Sequence, residues 1–234
     1  MKILALILAR KNSKRLTKKN LRILGHKPLI SWTIDLLKKI KHIDNILVST
    51  DSKKIQKIAL KSNVLCPKMR PKYLSGDKTT SEQSALHELR WYEKSYCKVD
   101  GLLLMQPTSP FRTIKKVNKG IKLFKKNSKN YVIGVSRFKN EKINKKNIFL
   151  LKDSQLYLIK NKDSHFNEIS KKNLFCINGY FYLVNKSLFL KTKSFKKKVF
   201  LPLIINSSKE SLEIDTYKDF LFAKKHVEDH GKVT

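Results

Sequence analysis

Seven apolar residues, Ile3 to Ala9, run unbroken near the start of the chain and end at once in a loop carrying Arg10, Lys11, Lys14, Arg15, Lys18 and Lys19. A run of this length suits a buried strand, and it is too short and too abruptly ended for a membrane helix. Ligands of open α/β sheets sit outside the carboxyl ends of the strands. A buried strand that delivers so many cations to its carboxyl end is therefore a place to hold a polyanion. The loop contains no glycine, so it is neither a Walker loop nor a dinucleotide fingerprint. Side chains must do much of the phosphate binding.

The rest of the chain alternates. A helix is expected over Pro28–Ile40, a strand over Asn45–Ser49 and a helix over Ser52–Ser62. A loop centred on Pro67 and Pro71 leads to a helix over Thr80–Tyr96, a strand at Gly101–Met105, a helix over Ile114–Phe124 and a strand at Tyr131–Val135. Such alternation implies an α/β fold with a mostly parallel sheet and helices on both faces. It fails over 138–175, which is rich in Lys and Asn and offers one extended patch, Gln155–Ile159. An irregular stretch of that length is usually functional or covered by a partner. A strand at Gly179–Val184 and a helix over Thr216–His226 close the pattern, and the whole of 1–234 reads as a single domain large enough for a sizeable core.

The formal charge of +34 is extreme, yet only seven of the 52 basic residues are Arg, and Lys is spread from end to end. Nucleic-acid readers concentrate Arg at base and phosphate contacts, often among aromatics. We read the Lys excess as a solvated surface, with attraction of anionic substrates as the alternative. No specific nucleic-acid partner and no membrane partner is expected. Cys66, Cys97 and Cys176 are odd in number and lack metal-ligand spacing, which argues against a disulfide framework and against zinc. The opening Met1-Lys2 and apolar run imitate a signal peptide, but no small-residue cleavage site follows, so a cytoplasmic location is expected. The six His residues show no ligand spacing.

Three further groups carry chemistry. Glu213-Ile214-Asp215 puts two carboxylates on one side of an extended segment, with Ile214 turned to the core. Hard oxygen ligands so spaced suit Mg²⁺, with Mn²⁺ as a substitute, and Glu213 with its longer arm could bind through water. Gln106-Pro107-Thr108-Ser109-Pro110 follows an apolar strand, and its prolines stiffen a turn whose amide and hydroxyls can read a polyhydroxylated sugar. Arg112 beside it is either structural or a substrate contact. Asp77 is either a ligand-facing carboxylate or the N-cap of the helix that follows.

The string Leu8-Ala-Arg10-x-Asn-Ser13-Lys14-x-Leu-x-x-Lys19-Asn20-Leu, continued by Gly25-x-x-Pro28-Leu-Ile-x-Trp32, resembles the signature of the acylneuraminate cytidylyltransferases. Further blocks agree in order: Val48-Ser-Thr-Asp51, Arg70-Pro-x-x-Leu-x-x-Asp77, Leu104-Met-Gln106-Pro-Thr-Ser109-Pro-Phe-Arg112, and Asn178-Gly179 with Glu213-Ile-Asp215-Thr. Many relatives have Pro and Gly in the first loop, where this chain has Thr17 and Arg15. The resemblance implies a Rossmann-like nucleotidyltransferase fold, with 138–175 as an arm packing on a second subunit of a homodimer. It implies transfer of CMP from CTP to the anomeric hydroxyl of an acidic 2-keto sugar, releasing pyrophosphate. Arg10, Ser13, Lys19 and Asn20 would bind the nucleotide phosphates, with Arg10, Lys19 and Asp215 carrying the catalysis. Arg70, Asp77 and Ser81 would surround the cytosine and ribose; Gln106, Thr108 and Ser109 would face the sugar; Asp215 and Glu213 would hold the metal. The alternatives are a 3-deoxy-manno-octulosonate cytidylyltransferase, a relative that only binds CTP, and, from another class, a basic nucleic-acid-binding protein.

Overall fold

The computed structural model describes residues 1–138, 148–159 and 170–231. Strand β1 (Ile3–Leu8) lies between two parallel neighbours, β4 (Asn45–Ser49) and β5 (Gly101–Leu104). Because side chains alternate across a strand, Ile3, Ala5 and Ile7 enter one core while Leu4 and Leu6 enter the other. The first core holds helices α1 (Leu29–Lys38), α2 (Lys53–Lys61) and α4 (Ile114–Lys126) through Ile34, Leu37, Ile55, Val117 and Phe124. The second holds α3 (Ser81–Ser95) and α5 (Lys186–Thr192) through Ala85, Leu89, Tyr92 and Phe189. Helices thus cover both faces, and a fully apolar β1 is what that burial demands. Local chemistry fixes the helix starts: Ser52 accepts from the Ile55 N–H at α2, and Thr80 with Gln83 forms a reciprocal capping box at α3.

The sheet runs β4-β1-β5-β9-β6-β10-β8-β7, where β6 is Tyr131–Arg137, β7 Ile148–Lys152, β8 Gln155–Leu158, β9 Leu174–Asn185 and β10 Val199–Ile204. It is mixed, which corrects the expectation of a mostly parallel sheet. The β1–β4, β1–β5 and β6–β10 ladders are parallel, and the other described ladders of this sheet are antiparallel. The cause is β9, a 12-residue strand that enters from the far side and inserts antiparallel between β5 and β6. Its first residues also pair with β7, so β9-β6-β10-β8-β7 closes on itself around Phe149, Phe175 and Phe200.

Most of the described part of 138–175 is therefore sheet of this chain, which amends its reading as an irregular stretch. Residues 139–147 and 160–169 of the expected arm, with His165, lie outside the described residues. Strand β10 went unread because of Pro202; β8 pairs only as far as Phe200, so Pro202 meets no β8 partner. A short hairpin, β2 (Ile23–Leu24) and β3 (Lys27–Pro28), precedes α1, and α6 (Tyr217–Gly231) packs Phe220 and Ala223 against Leu16, Leu24 and Leu29. Among the described residues no helix is long and apolar enough to cross a membrane.

Candidate active site

The carboxyl ends of β1 and β5 open into one cleft of about 630 Å³. The polybasic loop forms one wall and is pinned by its neighbours. The Ala9 N–H donates to the Ser49 carbonyl (3.0 Å), the Lys11 N–H to the Asp51 carboxylate, and Asn20 Nδ2 to the Arg10 carbonyl (3.0 Å). Asn20, expected to meet nucleotide phosphate, lines the cleft but is buried, and its amide holds the backbone of the loop.

Two acids receive the loop's cations. Arg10 meets Asp77 at 2.8 Å and Lys14 meets the same carboxylate at 3.1 Å. Arg15 and Lys19 meet Asp215 at 2.7 and 2.9 Å. The Lys14 and Arg10 contacts hold the Asp77 carboxyl below its ordinary value. Asp77 is not the N-cap of α3, a position that belongs to Thr80. Lys14, which stands in the loop motif, and Arg15, which departs from it, are cleft residues that the expected site set left out.

Arg70 lies buried at the base of the cleft. Its Nη1 donates to Ser84 Oγ at 3.3 Å, while Nε and Nη2 are buried without a partner among the described residues. Burial pushes its pKa down, opposed by Asp51 and Glu88. Two unpaired buried donors at the edge of a cleft are a recognition surface for acceptor atoms, because leaving them unpaired is costly. Ser81, on the first turn of α3, and Ser84 line the same end.

Gln106 and Thr108 line the cleft from the turn after β5. Ser109 does not. It is 1% exposed, its hydroxyl is buried without a partner among the described residues, and its carbonyl accepts from Arg112. Gln106, Pro107 and Thr108 line the cleft in succession and the chain then turns inward, so only one of the two hydroxyls reaches it. Glu213 and Asp215 both line the cleft while Ile214 is fully buried, as the alternation requires. Thr108 Oγ1 donates to Glu213 Oε1 at 3.4 Å. Burial pushes the Glu213 carboxyl up, and the neighbouring Asp215 adds to it.

The chemistry of this donor set fits Mg²⁺. Two carboxylates share one wall, and Mg²⁺ takes one or two carboxylates and completes its shell with water and substrate phosphate. Among the described residues no cluster of three or more His, Cys, Asp or Glu forms a cage of protein ligands alone.

A cytidylyltransferase family profile matches residues 4–221. This chain belongs to the acylneuraminate-type cytidylyltransferases. The enzyme is 33% identical over 228 residues to the CMP-N,N'-diacetyllegionaminic acid synthase of Legionella pneumophila, with 97% of each chain covered. It is 30% identical over 225 residues to the N-acylneuraminate cytidylyltransferase of Escherichia coli, covering 95% of this chain and 51% of that one. In fold it is similar to a CMP:2-keto-3-deoxy-manno-octonic acid synthetase solved with CTP, with a TM-score of 0.77 at 10% identity over 98% of this chain and all of the other.

Proposed function

We propose that the enzyme transfers CMP from CTP to the anomeric hydroxyl of a nonulosonate, a nine-carbon 2-keto acid sugar, and releases pyrophosphate. The observation that carries this is the convergence in one cleft of four loop cations, the unpaired donors of Arg70, and the Glu213–Asp215 pair. The names of the relatives supply the acceptor class.

Arg10 and Lys19 hold the triphosphate, and Arg10 can fork onto two phosphate oxygens at once. Ser13 and Lys14 extend that wall. Arg70 reads the acceptor edge of cytosine, with Ser81 beside the base and ribose. Gln106 and Thr108 hydrogen-bond the sugar hydroxyls. The anomeric hydroxyl gives its proton to water and its oxygen attacks the α-phosphorus as the bond to the β-phosphate oxygen breaks, so negative charge develops on pyrophosphate beside Arg10 and Lys19. Asp215, with Glu213, would hold Mg²⁺, which supplies charge neutralisation on the phosphates when bound. Two chains are expected to associate as a homodimer; light scattering that returns the mass of one chain at micromolar concentration would remove that part of the reading.

Pyrophosphate release tests the function, with CTP, UTP, ATP and GTP offered against neuraminate, diacetyllegionaminate, pseudaminate and 3-deoxy-manno-octulosonate. The expected result is turnover with CTP and a nonulosonate. Hydrogen-bonded readout rejects analogues that leave buried polar groups unpaired far better than an apolar pocket does. Equal turnover with UTP, or none with any sugar, overturns the proposal.

A further inference from the structure

Arg112 is 6% exposed and its side chain is absent from the cleft lining, yet its guanidinium touches three separate parts of the site's scaffold. Nε donates to the Tyr180 carbonyl at 2.6 Å and Nη2 to the Gly179 carbonyl at 3.3 Å. Nη1 donates to the Ser109 carbonyl at 2.7 Å and to Thr33 Oγ1 on α1 at 3.2 Å. A buried cation normally meets a carboxylate. Here it donates instead to backbone carbonyls of β9 and of the turn after the neighbouring β5, and to a hydroxyl on α1.

Both segments lie against the Glu213 carboxylate. Ser109 adjoins Thr108, whose carbonyl accepts the Ile214 N–H at 2.7 Å and whose hydroxyl reaches Glu213. Gly179 backs the same carboxylate from the other side: a Cβ built there would stand 2.8 Å from Glu213 Cδ. Gly179 has φ +71°, a conformation in which glycine carries no side-chain penalty. Glu213 is thus held between Thr108 and Gly179, and one guanidinium bonds the carbonyl of Gly179 and that of Ser109, next to Thr108.

We infer that Arg112 is a positioning residue that sets the distance between the sugar-facing turn at Gln106–Thr108 and the Glu213 carboxylate, without touching nucleotide or sugar. The inference rests on the proposed transfer to a sugar acceptor. Arg is required because its planar fork presents donors in fixed directions to several acceptors, whereas a Lys ammonium is a point charge that cannot span them.

The experiment compares Arg112→Lys and Arg112→Met with the unaltered enzyme by three readouts. These are thermal unfolding, CTP affinity by calorimetry in EDTA, and steady-state kinetics with CTP and the sugar that supports turnover. CTP without metal is held by the polybasic loop, which Arg112 does not contact, so its affinity should stay within about threefold. A displacement of about 1 Å at the reacting centre costs on the order of 10²-fold, so kcat over KM for the sugar should fall by about that factor in Arg112→Lys and at least as far in Arg112→Met. Sugar turnover near the unaltered level in a folded variant overturns the inference. A parallel loss of CTP affinity also overturns it, since Arg112 would then act on the nucleotide. If Arg112→Met fails to fold, the Lys variant decides; failure of both to fold overturns the inference in favour of a purely structural arginine. An unaltered enzyme that turns over no sugar sinks the proposed function instead, which keeps the two readings apart.

Discussion

Asp215 accepts Arg15 and Lys19 in a chain where 18 acids face 52 bases, so its carboxylate is both a candidate cation ligand and the counter-charge that organises the loop. Asp215→Asn keeps the shape and removes the charge. Turnover should fall by about 10²–10³, the usual effect of losing one preorganised electrostatic group, while circular dichroism stays unchanged; a fully active Asp215→Asn enzyme would exclude the assignment. Much of the cleft was legible at this scale because its residues stand in ordered blocks: Arg10, Ser13, Lys19, Arg70, Gln106, Thr108, Glu213 and Asp215 all line it. One residue falls outside the cleft for a local reason, and one open alternative is closed by another. Ser109 is grouped with Thr108 by sequence, but its carbonyl is drawn to the buried Arg112 and its side chain is buried with it. The N-cap alternative for Asp77 was decidable in advance, since Thr80-x-x-Gln83 is itself a capping-box pattern. The carbonyl ties of Arg112 were not legible, because a backbone acceptor leaves no mark on residue type.

At the scale of elements, packing overrides propensity at Gly120 on α4. A Cβ there would lie 2.7 Å from Phe181 Cζ and 3.0 Å from Leu203 Cδ2. Alanine gains about 1 kcal/mol in helix propensity, but overpacking costs about 1–3 kcal/mol. Gly120→Ala should therefore be neutral to destabilising by up to about 2 kcal/mol in urea melts, and a clear gain in stability would show that β9 and β10 yield easily. Glu93 on α3 joins the elements of the second core, accepting from the Val99 N–H at 3.0 Å and from Lys186 Nζ at 3.1 Å. Burial opposes its ionisation, but the Val99 N–H and Lys186 outweigh burial and hold the carboxyl below its ordinary value. A depressed carboxyl pKa contributes stability that is fully present above the unfolded value of about 4.3 and is lost as pH falls through the folded one. Glu93→Gln should lower Tm at pH 7 and flatten its fall below about pH 5; parallel Tm curves for the two proteins would refute the link. Elements with apolar periodicity, such as β1, β4 and α1 to α4, were readable to within a residue or two. β7 and β10 were not, because Lys and Asn surround the first and Pro202 interrupts the second.

For the whole molecule, the +34 charge separates a general field from specific contacts. Four loop cations are already committed to Asp77 and Asp215 across the cleft, whereas Lys residues such as Lys218, Lys224 and Lys225 on α6 are exposed. The exposed set acts through solvent, where the Debye length at 0.2 M salt is under about 8 Å. Contacts made directly to phosphate inside the cleft are screened far less. The two sets should therefore respond differently to salt. Binding to random duplex DNA should be weak and blind to sequence, and should fall steeply, since each neutralised phosphate adds roughly 0.9 to the slope of log affinity against log salt. With Arg10 and Lys19 on the triphosphate as proposed, turnover of CTP should change by no more than a few-fold between about 0.05 and about 0.2 M salt. Measuring both across that range tests the argument from each side. Sequence-selective duplex binding that survives 0.2 M salt, in a protein that releases no pyrophosphate, would make the surface lysines the functional site and the cleft incidental. Turnover that collapses in step with DNA binding would show that the field of the whole surface, and not the loop, holds the nucleotide.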